Sequence, residues 1–231
     1  MNLADLNPFE TLREIERVEC ETSLYTFVQR AWRYVDPSPF TPGWPLEAMC
    51  EHLEAVADGD IRKLLINIPP RCGKSTIVSV CFPAWVWTQR ALSPTAGPHV
   101  PLLHASYALS LAMRDSVKTR RLIESTWYQK LWGSRFHLVG DQNTKGRFQN
   151  DKRGERLITA VDARVTGEGG NIIVVDDPNA ANDALSEALI ETTNEWWDGT
   201  MSTRLNDART GAYIVIQQRL GEEDLTGHIL D

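Results

Sequence analysis

Four short, unbroken apolar runs punctuate the chain, and between them apolar residues recur at helical spacing. The runs lie at 63–68 (KLLINI), 102–107 (LLHASY), 171–175 (NIIVV) and 212–218 (AYIVIQQ). A strand that is apolar on both faces must be covered on both faces, which is the situation of a parallel strand held between helices. Parallel neighbours cannot be joined by a tight turn; they need a crossover of at least about a dozen residues, usually helical. The stretches between these runs are long enough. The pattern therefore predicts an α/β fold with a doubly wound, mainly parallel sheet.

The intervening segments fill in the same picture. Helices are expected over about 75–90, from the second run to about 124, over 186–204 and near 224–230; residues 134–161 read as short strands and turns. Ahead of the first run, Phe9, Leu12, Ile15, Val18, Leu24, Phe27, Val28 and Ala31 fall at helical spacing and predict one or two helices. Residues 36–45 (DPSPFTPGWP) are a proline- and glycine-rich loop, and a helix over 46–57 comes after it. Residues 1–40 thus read as an N-terminal helical appendage to a domain spanning 41–231.

With 231 residues, 42% hydrophobic and 24% charged, the chain can bury a full core. No apolar stretch has the length of a membrane span, so no membrane partner is expected. The first residues lack the basic start and apolar core of a secretory signal, and a cytosolic setting is expected. The four cysteines (Cys20, Cys50, Cys72, Cys81) show no metal-ligand spacing and are expected to be reduced and mostly packed. A net charge of −7 argues against a chain coated in nucleic acid. Basic residues do cluster at Lys118, Arg120 and Arg121, at Lys145 and Arg147, and at Lys152, Arg153 and Arg156. Each cluster alone reads as solvated surface.

The first apolar run leads into Pro70, Arg71, Cys72, Gly73, Lys74, Ser75 and Thr76. Gly-Lys-Ser after a buried strand and before a helix is the setting of a phosphate-cradling loop. Backbone N–H groups from Arg71 to Thr76 can converge on phosphate oxygens at the start of the helix. Lys74 would reach the β- and γ-phosphates and Ser75 would ligate Mg²⁺, so the expected ligand is Mg²⁺ with a nucleoside triphosphate, ATP. The loop departs from the common pattern, with Ile68 where the first glycine would stand, then Pro69 and Pro70. Proline donates no N–H, so this entrance offers fewer bonds in a pre-set shape.

The third run ends in Asp176, Asp177 and Pro178. An acid at the end of such a strand completes the Mg²⁺ shell, and a second beside it can orient or deprotonate the attacking water. Asp176 is assigned to the metal and Asp177 to the water, with Glu168 as the alternative acid. The fold is then of P-loop NTPase type.

Taken together, IPPRCGKST, NIIVVDDP and YIVIQQRLGEEDLTGHIL resemble the large terminase subunit of tailed bacteriophages; DQNTKGRF at 141–148 and VTGEGG at 165–170 also fit. The resemblance covers roughly residues 40–231. It implies the ATPase motor of a machine that moves double-stranded DNA into a capsid. It implies a homo-oligomeric ring, a pentamer, docked on the procapsid in the host cytoplasm with portal protein and small terminase subunit as partners; the isolated chain could be a monomer. By the same resemblance Pro70 to Ser75 match the Walker A segment, Asp176 and Asp177 the Walker B segment, and Gln217, Gln218 and Arg219 the coupling motif. Arg164 would act in trans on a neighbour's ATP, Arg71 being the rival in cis, and Trp44 would pack on the adenine ring. The family's nuclease domain is expected to be absent from this chain, and nuclease activity with it. Two other readings remain: a helicase-like DNA-remodelling ATPase, and a non-catalytic capsid or DNA-binding subunit that keeps the fold.

Overall fold

The structure is a computed structural model describing residues 7–90, 93–163 and 167–231, with all of their side chains except those of 141, 142, 184 and 185. In chain order the strands are β1 (Lys63–Asn67), β2 (Leu102–Ser106), β3 (Leu138–Asn143), β4 (Arg147–Asn150), β5 (Glu155–Ala160), β6 (Ile172–Asp176) and β7 (Ala212–Gln217). They form one sheet in the order β1-β7-β6-β2-β5-β4-β3. From β1 across to β5 the pairing is parallel, and β4 and β3 add an antiparallel edge. All four apolar runs are strands, and they occupy four adjacent positions.

The helices are α1 (Pro8–Thr22), α2 (Leu24–Val35), α3 (Trp44–Asp58), α4 (Phe82–Val86), α5 (Leu109–Glu124), α6 (Thr126–Trp132), α7 (Glu187–Gly199) and α8 (Leu225–Leu230). Several starts are written locally. Ser23, Ser125 and Ser186 each accept a bond from a backbone N–H two or three residues into their helix, satisfying donors that no helical carbonyl can reach.

Strand alternation sorts the core into two layers. Leu102, Ile172, Val174, Ile214 and Ile216 pack with Phe27, Phe82, Tyr128 and Trp132 on one face of the sheet. Leu103, Ala105, Ile173, Val175, Tyr213 and Val215 pack with Trp196 and Leu225 on the other. The first layer includes Leu24, Phe27, Val28 and Ala31 at zero exposure, so α2 is part of the domain's core and not set apart from it.

Two expectations change. The helix expected over 75–90 is π-helical over Thr76–Cys81 and α-helical again over Phe82–Val86, where it ends. Pro83 supplies the reason. Its ring crowds the carbonyl four residues earlier and it has no N–H to offer, so the preceding turn widens. The helix expected over 186–204 ends at Gly199, and a 3₁₀ turn, Met201–Thr203, succeeds it.

Candidate functional site

The carboxyl ends of β1, β7, β6 and β2 are level with one another: Asn67 pairs with Gln217, Asp176 with Ile216, and Ser106 with Asp176. The segments leaving these strands therefore meet at one edge of the sheet, where ligands bind in open α/β folds. From β1 the chain continues through Ile68, whose N–H still reaches the Gln217 carbonyl at 3.1 Å, and then enters the proline-led loop. Arg71 (φ 64°) and Gly73 (φ 72°) are both left-handed. Left-handed residues within a turn swing neighbouring N–H groups toward a common point, which makes an anion-binding concavity. A Cβ on Gly73 would meet only ordinary contacts with Trp32 and Leu46, at 3.5 and 3.6 Å. The backbone conformation, not the space, calls for glycine there.

Lys74 is 5% exposed and lies between the two carboxylates at the end of β6. Its Nζ donates to Asp177 Oδ2 and stands 3.7 Å from Asp176 Oδ1. Ser75 Oγ donates to Asp176 Oδ1 at 3.1 Å, and Ser79 Oγ, one turn further on, donates to Asp176 Oδ2 at 2.7 Å. Both oxygens of Asp176 are thus held by the helix that leaves the loop. Burial pushes the Asp176 carboxyl up to about 6, against the pull of Lys74 and the Ser79 and Ser75 hydroxyls. Asp177 is left-handed as well (φ 45°), with its N–H on the Ile216 carbonyl and its own carbonyl on the Tyr107 N–H. Those bonds turn its side chain toward Lys74 while leaving it 31% exposed, so this carboxylate faces outward and Asp176 faces inward.

The donor set suits Mg²⁺ and a polyphosphate. Ser75 Oγ and Asp176 Oδ1 are hard oxygens already adjacent, and Lys74 supplies a cation at the same place. Gln217, the last residue of β7, is 3% exposed and its Nε2 has no hydrogen-bond partner among the described residues. Among those residues no group of three or more His, Cys, Asp or Glu side chains could hold a metal ion.

The remaining sequence candidates divide. Gln218 joins the site through its backbone, with its N–H 3.4 Å from Asp177 Oδ1. Arg219 turns away: its guanidinium bonds Asp224 at 3.0 Å and the Gly221 carbonyl at 2.8 Å. Glu168 is bound to Arg147 at 2.9 Å; Arg147 pairs in register with Leu157, on a strand three places from β6. The structure does not bring Glu168 to Asp176. Trp44 begins α3 and is 79% exposed, and the aromatic ring against the loop is that of Trp32. Arg164 lies outside the described residues. Ser79 and Trp32 are the site residues that sequence reasoning missed. The signal for Ser79 was its place four residues after Ser75, a lone hydroxyl in an apolar stretch.

No model of a known protein family matches the sequence, and none of the curated proteins does. A solved structure does: the crystal structure of the HK97 bacteriophage large terminase superposes with a TM-score of 0.56 at 14% identity, over 89% of this chain. The fold is terminase-like. The chain spans 39% of the length of that structure.

Proposed function

We propose that the chain is the ATPase motor domain of a DNA-packaging terminase, hydrolysing ATP to translocate double-stranded DNA into a capsid. One observation carries the reading: Lys74 and Ser75, after β1, meet Asp176 and Asp177, after β6, across an intervening strand. In this reading the loop amides from Arg71 to Thr76 and the Lys74 ammonium receive the phosphates. Ser75 and Asp176 would hold Mg²⁺, whose charge would offset that of the phosphate oxygens. Asp177, the more exposed carboxylate, orients the attacking water and accepts its proton. Gln217 offers its unpaired amide to the γ-phosphate side. Arg71 in cis or Arg164 in trans supplies the cation that phosphoryl transfer requires. The proposed partners are duplex DNA, the portal protein, the small terminase subunit and further copies of this chain in a pentameric ring, assembled on the procapsid in the host cytoplasm.

Lys74→Ala is the direct test. We expect it to lower ATP hydrolysis by on the order of 10²-fold or more, the usual effect of removing one charge-stabilising donor from a transition state. Binding of a fluorescent ATP analogue, measured in parallel by titration, should weaken with it. Turnover and binding equal to those of the unaltered chain would sink the assignment.

A further inference from the structure

Arg156, the second residue of β5, is completely buried, and no carboxylate hydrogen-bonds to it. It donates instead through Nη1 to Thr119 Oγ1 at 2.5 Å and through Nη2 to the Ser79 carbonyl at 2.6 Å; its Nε has no partner among the described residues. Burying a guanidinium so far from water is costly, and most buried cations are paired with an acid. The chain bonds this one to a backbone carbonyl, while the charge of Asp115 on α5 acts on it without a hydrogen bond.

That carbonyl belongs to a specific residue. In an α-helix the Ser79 carbonyl would receive the N–H of residue 83, and residue 83 is proline. The π-helical turn Thr76–Cys81 ends at the same point. Arg156 from β5 takes the donor's place; Thr119 from α5 holds its guanidinium by accepting from Nη1, while the one proton of that hydroxyl faces the carbonyls of Asp115, Val80 and Ser79 at 3.0, 3.2 and 3.3 Å. Ser79 in turn fixes Asp176 through its hydroxyl. A line of contacts therefore runs from β5, past β2, to the carboxylate at the end of β6.

We propose that Arg156 is a positioning residue for Asp176. It bonds the Ser79 carbonyl, whose α-helical donor Pro83 removes, holds the π-helical turn in place, and so keeps Ser79 Oγ on the carboxylate that would take Mg²⁺. The inference rests on the proposed nucleotide site and adds to it a residue two strands away from β6 that touches neither nucleotide nor metal.

The test uses the full chain and a fluorescent ATP analogue, titrated once without divalent metal and once with Mg²⁺. Arg156→Gln and Ser79→Ala should each raise the Mg²⁺ concentration for half-saturation by ~10-fold or more, the range typical of groups that orient a metal ligand. Metal-free nucleotide affinity should stay within about twofold, because Lys74 and the loop are untouched. The two changes act on one contact line, so the double variant should shift little further than either single one. Pro83→Ala returns an N–H to the helix, and in that background Arg156→Gln should lose most of its effect. A general loss of packing would not be rescued in this way.

An unchanged Mg²⁺ requirement in Ser79→Ala, which keeps the core contacts even if Arg156→Gln fails to fold, would overturn the proposal. So would equal losses of metal-free and Mg²⁺-supported binding, or additive shifts. If the unaltered chain showed no Mg²⁺-dependent binding, the nucleotide site would fall and this inference with it. Normal binding by the unaltered chain beside unshifted variants removes the inference alone.

Discussion

Cys72 is the one thiol of the four that is not buried. Burial pushes the Cys20 and Cys81 thiols up to about 12 and Cys50 further still, and the thiolate is the reactive form. A thiol reagent applied to the native chain at pH 8 should therefore find one fast-reacting group, with the other three released only on unfolding. Cys72→Ser should abolish the fast phase. Saturating Mg²⁺ and ATP should slow it by about tenfold or more if phosphates fill the loop that contains it, because reactivity follows access. An unprotected Cys72 would argue that the loop stays open. Single residues were legible in the sequence where their type and neighbours were both unusual, as at Lys74, Asp176 and Asp177. Ser79 was not, because a serine within an apolar stretch is ordinary until Asp176 is seen opposite it. Trp32 escaped for a different reason. Nothing along the chain brings α2 to a loop some forty residues later; only packing does.

The strands β2, β6 and β7 could be read almost residue for residue, since burial on both faces leaves few polar positions to blur them; β1, at the edge of the sheet, buries only Leu64. The helices were less transparent, because periodicity identifies an apolar stripe and not what covers it. In α1 the stripe of Phe9, Leu12, Ile15 and Val18 is exposed, at 81%, 64%, 48% and 47%. The helix is fastened by its polar side instead. Glu16 accepts from Trp127 Nε1 at 3.0 Å, and Glu21 accepts from Trp132 Nε1 at 2.9 Å and from Arg135 at 2.6 Å. The apolar stripe of α2, by contrast, is buried, and Phe27 touches the rings of Trp127, Tyr128 and Trp132. These two helices should respond oppositely to truncation. Phe27→Ala should cost ~3–5 kcal/mol, the range for removing a large aromatic side chain from a core. Leu12→Ala should stay within about 0.5 kcal/mol, as surface changes do. Urea unfolding at unchanged denaturant sensitivity measures both. A small cost for Phe27→Ala would mean that the contacts of α2 add little to the core. Likewise, periodicity alone could not show the π-helical turn; Pro83 overrides it locally.

Across the whole molecule charge is gathered in local patches. α7, packed on one face through Trp196, and the loop before α8 gather Glu187, Glu191, Glu195, Asp198, Glu222 and Glu223 around a cavity of about 710 Å³. Lys118, Arg120 and Arg121 belong to α5, which packs on the opposite face through Leu122 and Ile123. The basic residues of α5 are thus a local patch, on a face that also carries the acidic helices α1 and α3. The proposed phosphoryl transfer calls for a further cation at the site. Among the described residues no arginine hydrogen-bonds or ion-pairs with Asp176 or Asp177, although the charge of Arg114 reaches Asp176, and Lys74 is engaged with both carboxylates. In the proposed ring the further charge can arrive from the same chain, as Arg71, or from a neighbour, as Arg164 in the segment between β5 and β6. A head-to-tail interface makes the two distinguishable, because it joins one copy's phosphate loop to the next copy's arginine. Arg164→Ala and Lys74→Ala chains should each be inactive alone. Mixed in equal amounts, roughly a quarter of interfaces would pair an intact Lys74 with an intact Arg164, and ATPase activity should return in that proportion if the arginine acts in trans. Arg71→Ala mixed with Lys74→Ala cannot recover by this route, since a cis arginine and Lys74 must be intact in the same chain. Recovery in the first mixture and silence in the second would assign the role to Arg164. Silence in the first mixture, with Arg71→Ala inactive alone, would assign it to Arg71 and make each copy's site complete without its neighbour.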